Sequence, residues 1–131
     1  VKILWINQML IYLLVQLLFI LLSRVGNEVD ETKMTSKKLV SVDFEVYGRV
    51  QGVFFRKYTQ QEAKKLSLKG WCMNTEKGTV QGVMQGELNN VEMMKQWLKN
   101  TGSPSSRIEK AEFKNQMDIK NVTFGSFDIK R

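Results

Sequence analysis

The run Gly48-Arg49-Val50-Gln51-Gly52-Val53-Phe54-Phe55-Arg56 holds the residue types best suited to chemistry in this chain. Two glycines sit four apart, and glycine adopts positive φ without steric cost. A backbone that curls there turns successive N–H groups inward and makes a concave anion site. Arg56 closes the run with a planar, permanently charged fork that matches phosphate oxygens. A helix starting near Phe55 adds unpaired N–H groups and the positive end of its dipole. An arginine in a first helical turn opposes that dipole, so Arg56 is misplaced unless an anion lies between it and the amides. The residues therefore point to phosphate binding, against the plainer reading of a glycine-rich turn with a solvated arginine. The run is not a P-loop, because no Lys-Ser/Thr pair ends it.

Composition narrows the chemistry. The 131 residues contain no histidine and one cysteine. Triads built on histidine and the common zinc sites are excluded. Cys72 has no partner for an internal disulfide, which suits a reducing compartment, and reads as a small buried hydrophobe. Formal charge is +7, and residues from Met34 onward carry it with 17 Lys+Arg against 10 Asp+Glu. Such a field favours anionic partners without saying which.

Stepping out from the loop, Val40, Val42, Phe44 and Val46 alternate with polar residues and predict a half-buried strand. Helical spacing of Phe55, Tyr58, Thr59, Ala63 and Leu66 predicts a helix over 55–66, with Gly70 marking its exit. Strands over 71–74 and 79–85 flank the turn "NTEKGT" as a hairpin. Val91, Met94 and Leu98 share a second helical face beside Trp97, and "NTGSPSS" ends that helix. Strands follow over 107–114 and 127–130. The order β-α-β-β-α-β, with room for a short extra strand, predicts an α+β ferredoxin-like sandwich: a mixed, mostly antiparallel sheet with two helices on one face. The Phe54/Phe55 pair and the Met93/Met94/Trp97/Leu98 cluster read as core residues and not as cofactor contacts, with at least one of the two phenylalanines facing the sheet.

"GRVQGVFFR", with "GWCMNTEKGTVQGVMQGE" and "WLKNTGSPSSRIEKAEF", resembles the acylphosphatase family over about residues 39–131. The resemblance implies an enzyme that hydrolyses carboxyl-phosphate anhydrides to a carboxylate and inorganic phosphate. It implies phosphate binding by Arg56 and by the backbone of Gly48, Arg49, Val50, Gln51, Gly52, Val53 and Phe54. It assigns Asn74 to positioning the attacking water. No metal or organic cofactor is implied. Asn74 alone, read without the resemblance, is first of all a turn-initiating residue. An RNA-binding module of the same fold is disfavoured, because "TVQGVMQG" offers no aromatic for base stacking. A non-catalytic phosphate-binding module is disfavoured by the presence of both Arg56 and Asn74. The domain is expected to be a cytoplasmic monomer acting on a small acyl phosphate, without nucleic acid.

Residues 1–33 differ in kind. From Ile3 to Leu22 only Asn7, Gln8 and Gln16 are polar, and twenty residues suffice to cross a bilayer. Three readings compete: an upstream or alternative leader ahead of Met34, a membrane anchor, and a cleaved signal whose small-x-small site is poor. Lys2 precedes the run and Arg24, Lys33, Lys37 and Lys38 follow it, so a genuine span leaves residues 34–131 facing the cytosol. Residues 24–38 read as a polar linker.

Overall fold

The structure is a computed structural model that describes the backbone of residues 2–35 and 37–131, and the side chains of residues 3–22 and 37–131. The chain divides into two compact units, Val1–Lys37 and Lys38–Arg131. The first contains a single helix, α1 (Lys2–Thr35), which continues through much of the stretch expected to be a linker. Its segment Ile3–Leu22 is long and apolar enough to cross a membrane, a property that signal sequences share.

The second unit runs β1 (Leu39–Arg49), α2 (Phe55–Lys65), β2 (Lys69–Asn74), β3 (Val80–Glu87), α3 (Leu88–Asn100), β4 (Arg107–Ile119) and β5 (Phe127–Lys130). The sheet order is β4-β1-β3-β2-β5. β1 lies antiparallel to both β3 and β4, β2 is antiparallel to β3, and β5 joins β2 in parallel. Each helix thus links two parallel strands that are separated by a third, antiparallel one. This is the ferredoxin-like plan with a fifth strand added at the β2 edge.

The alternation in β1 buries Val40, Val42, Phe44 and Val46, which pack in one cluster with Phe55 and Ala63 of α2 and with Val91, Met94 and Leu98 of α3. Both helices therefore cover the same face. Phe55 and Trp97 meet with ring centroids 5.9 Å apart, joining the two helices above the sheet. The expected aromatic pair splits: Phe55 is buried, whereas Phe54 is 73% exposed. Met93 is likewise exposed, since it precedes Met94 by one residue and so turns about 100° away from the buried stripe.

α2 ends before Gly70. Ser67 is the left-handed residue (φ 56°). Leu68 N–H donates to Ala63 O at 2.8 Å and Ser67 N–H to Lys64 O at 3.1 Å. That is a Schellman close with serine in the place that glycine usually takes. Gly70 lies within β2, opposite Met84. β4 extends five residues past its expected end at Lys114, and a register shift between Ser41 and Asp43 accommodates Asn115, which adopts φ 56°. Asn115 Nδ2 donates to Asp43 Oδ2 at 2.8 Å, fastening this bulge to β1.

Candidate active site

The loop of residues 50–54 leaves β1 and delivers the chain to the first turn of α2. Val50 and Val53 are buried and anchor it, while Gly52 is exposed with φ 72°. Phe54 ends the loop as the N-cap of α2 with φ 58° and ψ 25°. A left-handed phenylalanine is uncommon and costs local strain. No side chain caps this helix, and no acid lies in its first turn. Instead Arg56 and Lys57 occupy that turn. Among the described residues, no protein acceptor takes the N–H groups of residues 51–54, and no carboxylate pairs with Arg56. A concentration of donors and positive charge is thus left open at one helix end.

These groups border a cleft of about 660 Å³ lined by Val50, Gly52, Phe54, Phe55, Arg56, Lys57, Gln60, Asn74, Ile129 and Arg131. The structure brings Arg56 and Asn74 to the same cleft although eighteen residues separate them in sequence. Asn74 reaches it because β2 ends there, paired with Val80 across the hairpin. Asn74 Oδ1 is buried with no hydrogen-bond partner among the protein groups. Its acceptor capacity is therefore unspent, and a half-turn of the amide exchanges the oxygen and nitrogen positions.

Of the seven residues expected to bind substrate, Val50, Gly52 and Phe54 line the cleft, whereas Gly48, Arg49, Gln51 and Val53 do not. Gly48 closes β1 against β4, Arg49 is exposed at the strand end, and Val53 is buried beneath the loop. The Gln51 side chain has a task of its own. Its Nε2 donates to Thr75 O and Thr79 O, both at 2.9 Å. This ties the glycine loop to the hairpin turn that follows Asn74. The turn is itself braced: the Thr75 and Thr79 hydroxyls are 2.5 Å apart, and Thr79 Oγ1 donates to Glu45 Oε2 at 2.7 Å.

Lys57, Gln60, Ile129 and Arg131 join the cleft without a prior signal in the sequence. Gln60 Nε2 donates to Phe127 O at 2.9 Å and so fastens α2 to β5. Only the pairing of β5 beside β2 brings Ile129 and Arg131 to Arg56, and no local motif encodes that pairing. Cys72 sits beneath the site, fully buried, 3.8 Å from Arg56 O. Burial pushes its thiol up to about 12, with a small opposing effect from Arg56. It is a neutral packing group, not a nucleophile. A second cavity, about 210 Å³ on the sheet face away from the helices, is lined by Asp43, Glu45 and Glu112 with Lys114 as its one cation. Its charge has the wrong sign for phosphate.

A left-handed helix cap, an open set of amides, an arginine and an asparagine around one cation-rich cleft on a ferredoxin-like sheet define an oxyanion-binding protein of small size. A family model described as Acylphosphatase matches residues 42–129. Acylphosphatase-1 from Mus musculus is 56% identical over 91 residues, covering 70% of this chain and 92% of that protein. Acylphosphatase-1 from Homo sapiens is 53% identical over 91 residues, with the same coverage of 70% and 92%. Among solved structures, an acylphosphatase from Coxiella burnetii superposes with a TM-score of 0.62 at 30% identity, covering 73% of this chain and 99% of its own. The chain belongs to the acylphosphatase family.

Proposed function

We propose that Arg56, the loop amides and Asn74 carry out the reaction of this family, hydrolysis of an acyl phosphate to a carboxylate and inorganic phosphate. The observation that carries the reading is the meeting of Arg56, Gly52, Phe54 and Asn74 around one cleft, at a helix end with cations and no acid. The phosphoryl group sits in the curl of residues 50–54, with the Arg56 fork on its oxygens. Phosphoryl transfer depends chiefly on position and on stabilising charge on the equatorial oxygens, and these donors supply both. Asn74 accepts from the attacking water and fixes its line of approach. A bond forms between water oxygen and phosphorus as the bond from phosphorus to the acyl oxygen breaks. The leaving group departs as a carboxylate, which needs no proton, so a site without histidine suffices. The water's proton passes to a phosphate oxygen.

The wider reading is of a catalytic unit over residues 34–131 that works as a monomer in the cytosol on a small molecule, with residues 1–33 as a separate leader or anchor. Support comes from the division of the chain near Lys37. The lack of aromatics in "TVQGVMQG" speaks against nucleic acid as a partner.

The test is steady-state hydrolysis of an aryl acyl phosphate by residues 34–131, with inorganic phosphate as a competitive inhibitor. Arg56→Ala loses both turnover and phosphate affinity. Asn74→Ala keeps phosphate affinity and loses turnover by about 2.7–4 kcal/mol or more, by analogy with other orienting donors. An Asn74→Ala variant that lost phosphate binding and kept turnover would reverse the assigned roles.

A further inference from the structure

We propose that α1 spans a lipid bilayer and holds the catalytic unit at the cytosolic, anionic leaflet. Ile3–Leu22 is a continuous twenty-residue helical segment, about 30 Å long at 1.5 Å per residue, which equals the hydrocarbon thickness of a typical bilayer. Within its own unit this single helix has no neighbouring element to cover its apolar side chains, including Ile3, Leu10, Leu14, Leu18 and Leu22. The domain's own core is complete without them, since Val40 to Phe127 fill it. So much apolar surface on one helix is suited to a non-aqueous environment.

The distribution of polar residues selects a span over a helix lying on the surface. An interfacial helix gathers its polar residues on one face. At about 100° per residue, Asn7, Gln8 and Gln16 spread over roughly half the circumference, with leucines and isoleucines between them. No polar face exists to meet water, so the helix is suited to lipid on all sides. Asn7, Gln8 and Gln16 are uncharged, and the nearest charges are Lys2 and Arg24, one just outside each end.

Charge sets the orientation. Arg24, Lys33, Lys37 and Lys38 follow the segment closely, and such a cluster of cations favours the C-terminal side in the cytosol. Residues from Met34 onward carry 17 Lys+Arg against 10 Asp+Glu, so the tethered unit is attracted to anionic headgroups as well.

The experiment uses the full chain, made by cell-free translation with endoplasmic-reticulum microsomes. The expected result is a chain of unaltered length that stays with the membrane through alkaline carbonate. Its catalytic unit remains open to added protease and active without detergent. Replacing Leu13→Arg and Leu14→Arg together lowers the carbonate-resistant fraction at least about tenfold and leaves turnover unchanged. Because a solved relative has almost all of its chain inside this fold, the catalytic unit folds alone and serves as the control. On phosphatidylcholine/phosphatidylserine vesicles residues 34–131 wash off in high salt. Release of the full chain by carbonate overturns the proposal. So does a shortened, protease-protected product, the mark of a cleaved signal, and so does retention unaffected by the two arginines. Turnover of residues 34–131 is read independently, so failure of the tether is distinct from failure of the catalytic reading.

Discussion

Replacing Gln51 by glutamate keeps its shape and removes its donor, which isolates the two hydrogen bonds that join the phosphate loop to the hairpin. In the native protein Nε2 reaches Thr75 O and Thr79 O, both at 2.9 Å. Neither carbonyl depends on it alone: Thr75 O also accepts from Gly78 N–H at 3.2 Å and Thr79 O from Thr75 N–H at 2.9 Å. Loss of the donor therefore orphans no carbonyl, and the direct cost is two net hydrogen bonds, about 1–3 kcal/mol together. The glutamate adds repulsion, since its carboxylate faces two carbonyl oxygens with no proton to share. Chemical denaturation should show the domain destabilised by at least that 1–3 kcal/mol, with a melting point lower by about 4–8 °C for each kcal/mol. Turnover should fall further than stability requires, because Asn74 directly precedes the turn that Gln51 holds. A shift of the loop against Asn74 by about 1 Å costs on the order of a hundredfold. Protonation gives the glutamate one donor, and both that bond and the repulsion raise its pKa above the free value of about 4.3, so the deficit should shrink as pH falls toward that value. A Gln51→Glu enzyme with unchanged kcat/KM and melting point, or a deficit indifferent to pH, would refute the latch.

Two further effects follow from the packing around the site. At Gly48, with φ 123°, an added Cβ would lie 2.1 Å from Arg107 O, a backbone atom of β4 that cannot swing aside, so Gly48→Ala should cost several kcal/mol. Gly52→Ala meets nothing within 4 Å and should cost only the left-handed strain, about 1–2 kcal/mol; denaturation midpoints of the two variants should keep that order, and a reversal would mean the loop is placed wrongly. Cys72 has a folded value near 12 against 9.0 when free, a raised acid, so its contribution is fully present below pH of about 9 and is lost as pH rises toward 12. That interval corresponds to about 4 kcal/mol as an upper figure. Wild type should therefore lose stability more steeply than Cys72→Ala across that window, and the native thiol should resist alkylation at neutral pH.

Much of the fold was legible because its elements bury regular stripes. Val40 to Val46 alternate, and Val91, Met94 and Leu98 recur at helical spacing, so both periods show in the residues themselves. β4 was harder. Its last five residues lie at an exposed sheet edge and include Asn115 and Gln116, with no buried stripe to give a period. The end of α2 was legible to within one residue, but the residue that closes it was not. Glycine is the expected left-handed residue there, whereas Ser67 takes that conformation because the Schellman bonds to Ala63 and Lys64 hold it.

The site divides along the same line. Whatever depends on one contiguous stretch could be read directly: two glycines, a helix start and an arginine that makes sense only beside an anion. Gln51 shows the limit. The resemblance implied a role only for its backbone amide, and the side chain works at a distance, bracing a turn twenty-four residues away. Arg131 shows it again. It is an ordinary surface cation until β5 docks in parallel beside β2, and that docking rests on Gly70↔Phe127 pairing and on Gln60 holding Phe127 O. Arg131 then joins Arg56 and Lys57 around a single cleft. Long-range pairing completes this concentration of charge at the start of α2 by adding Arg131, so a substitution that loosened β5, such as Gln60→Leu, should weaken phosphate inhibition without touching any residue of the glycine loop. Unchanged inhibition constants in that variant would mean that Arg56 and the loop amides hold the anion unaided.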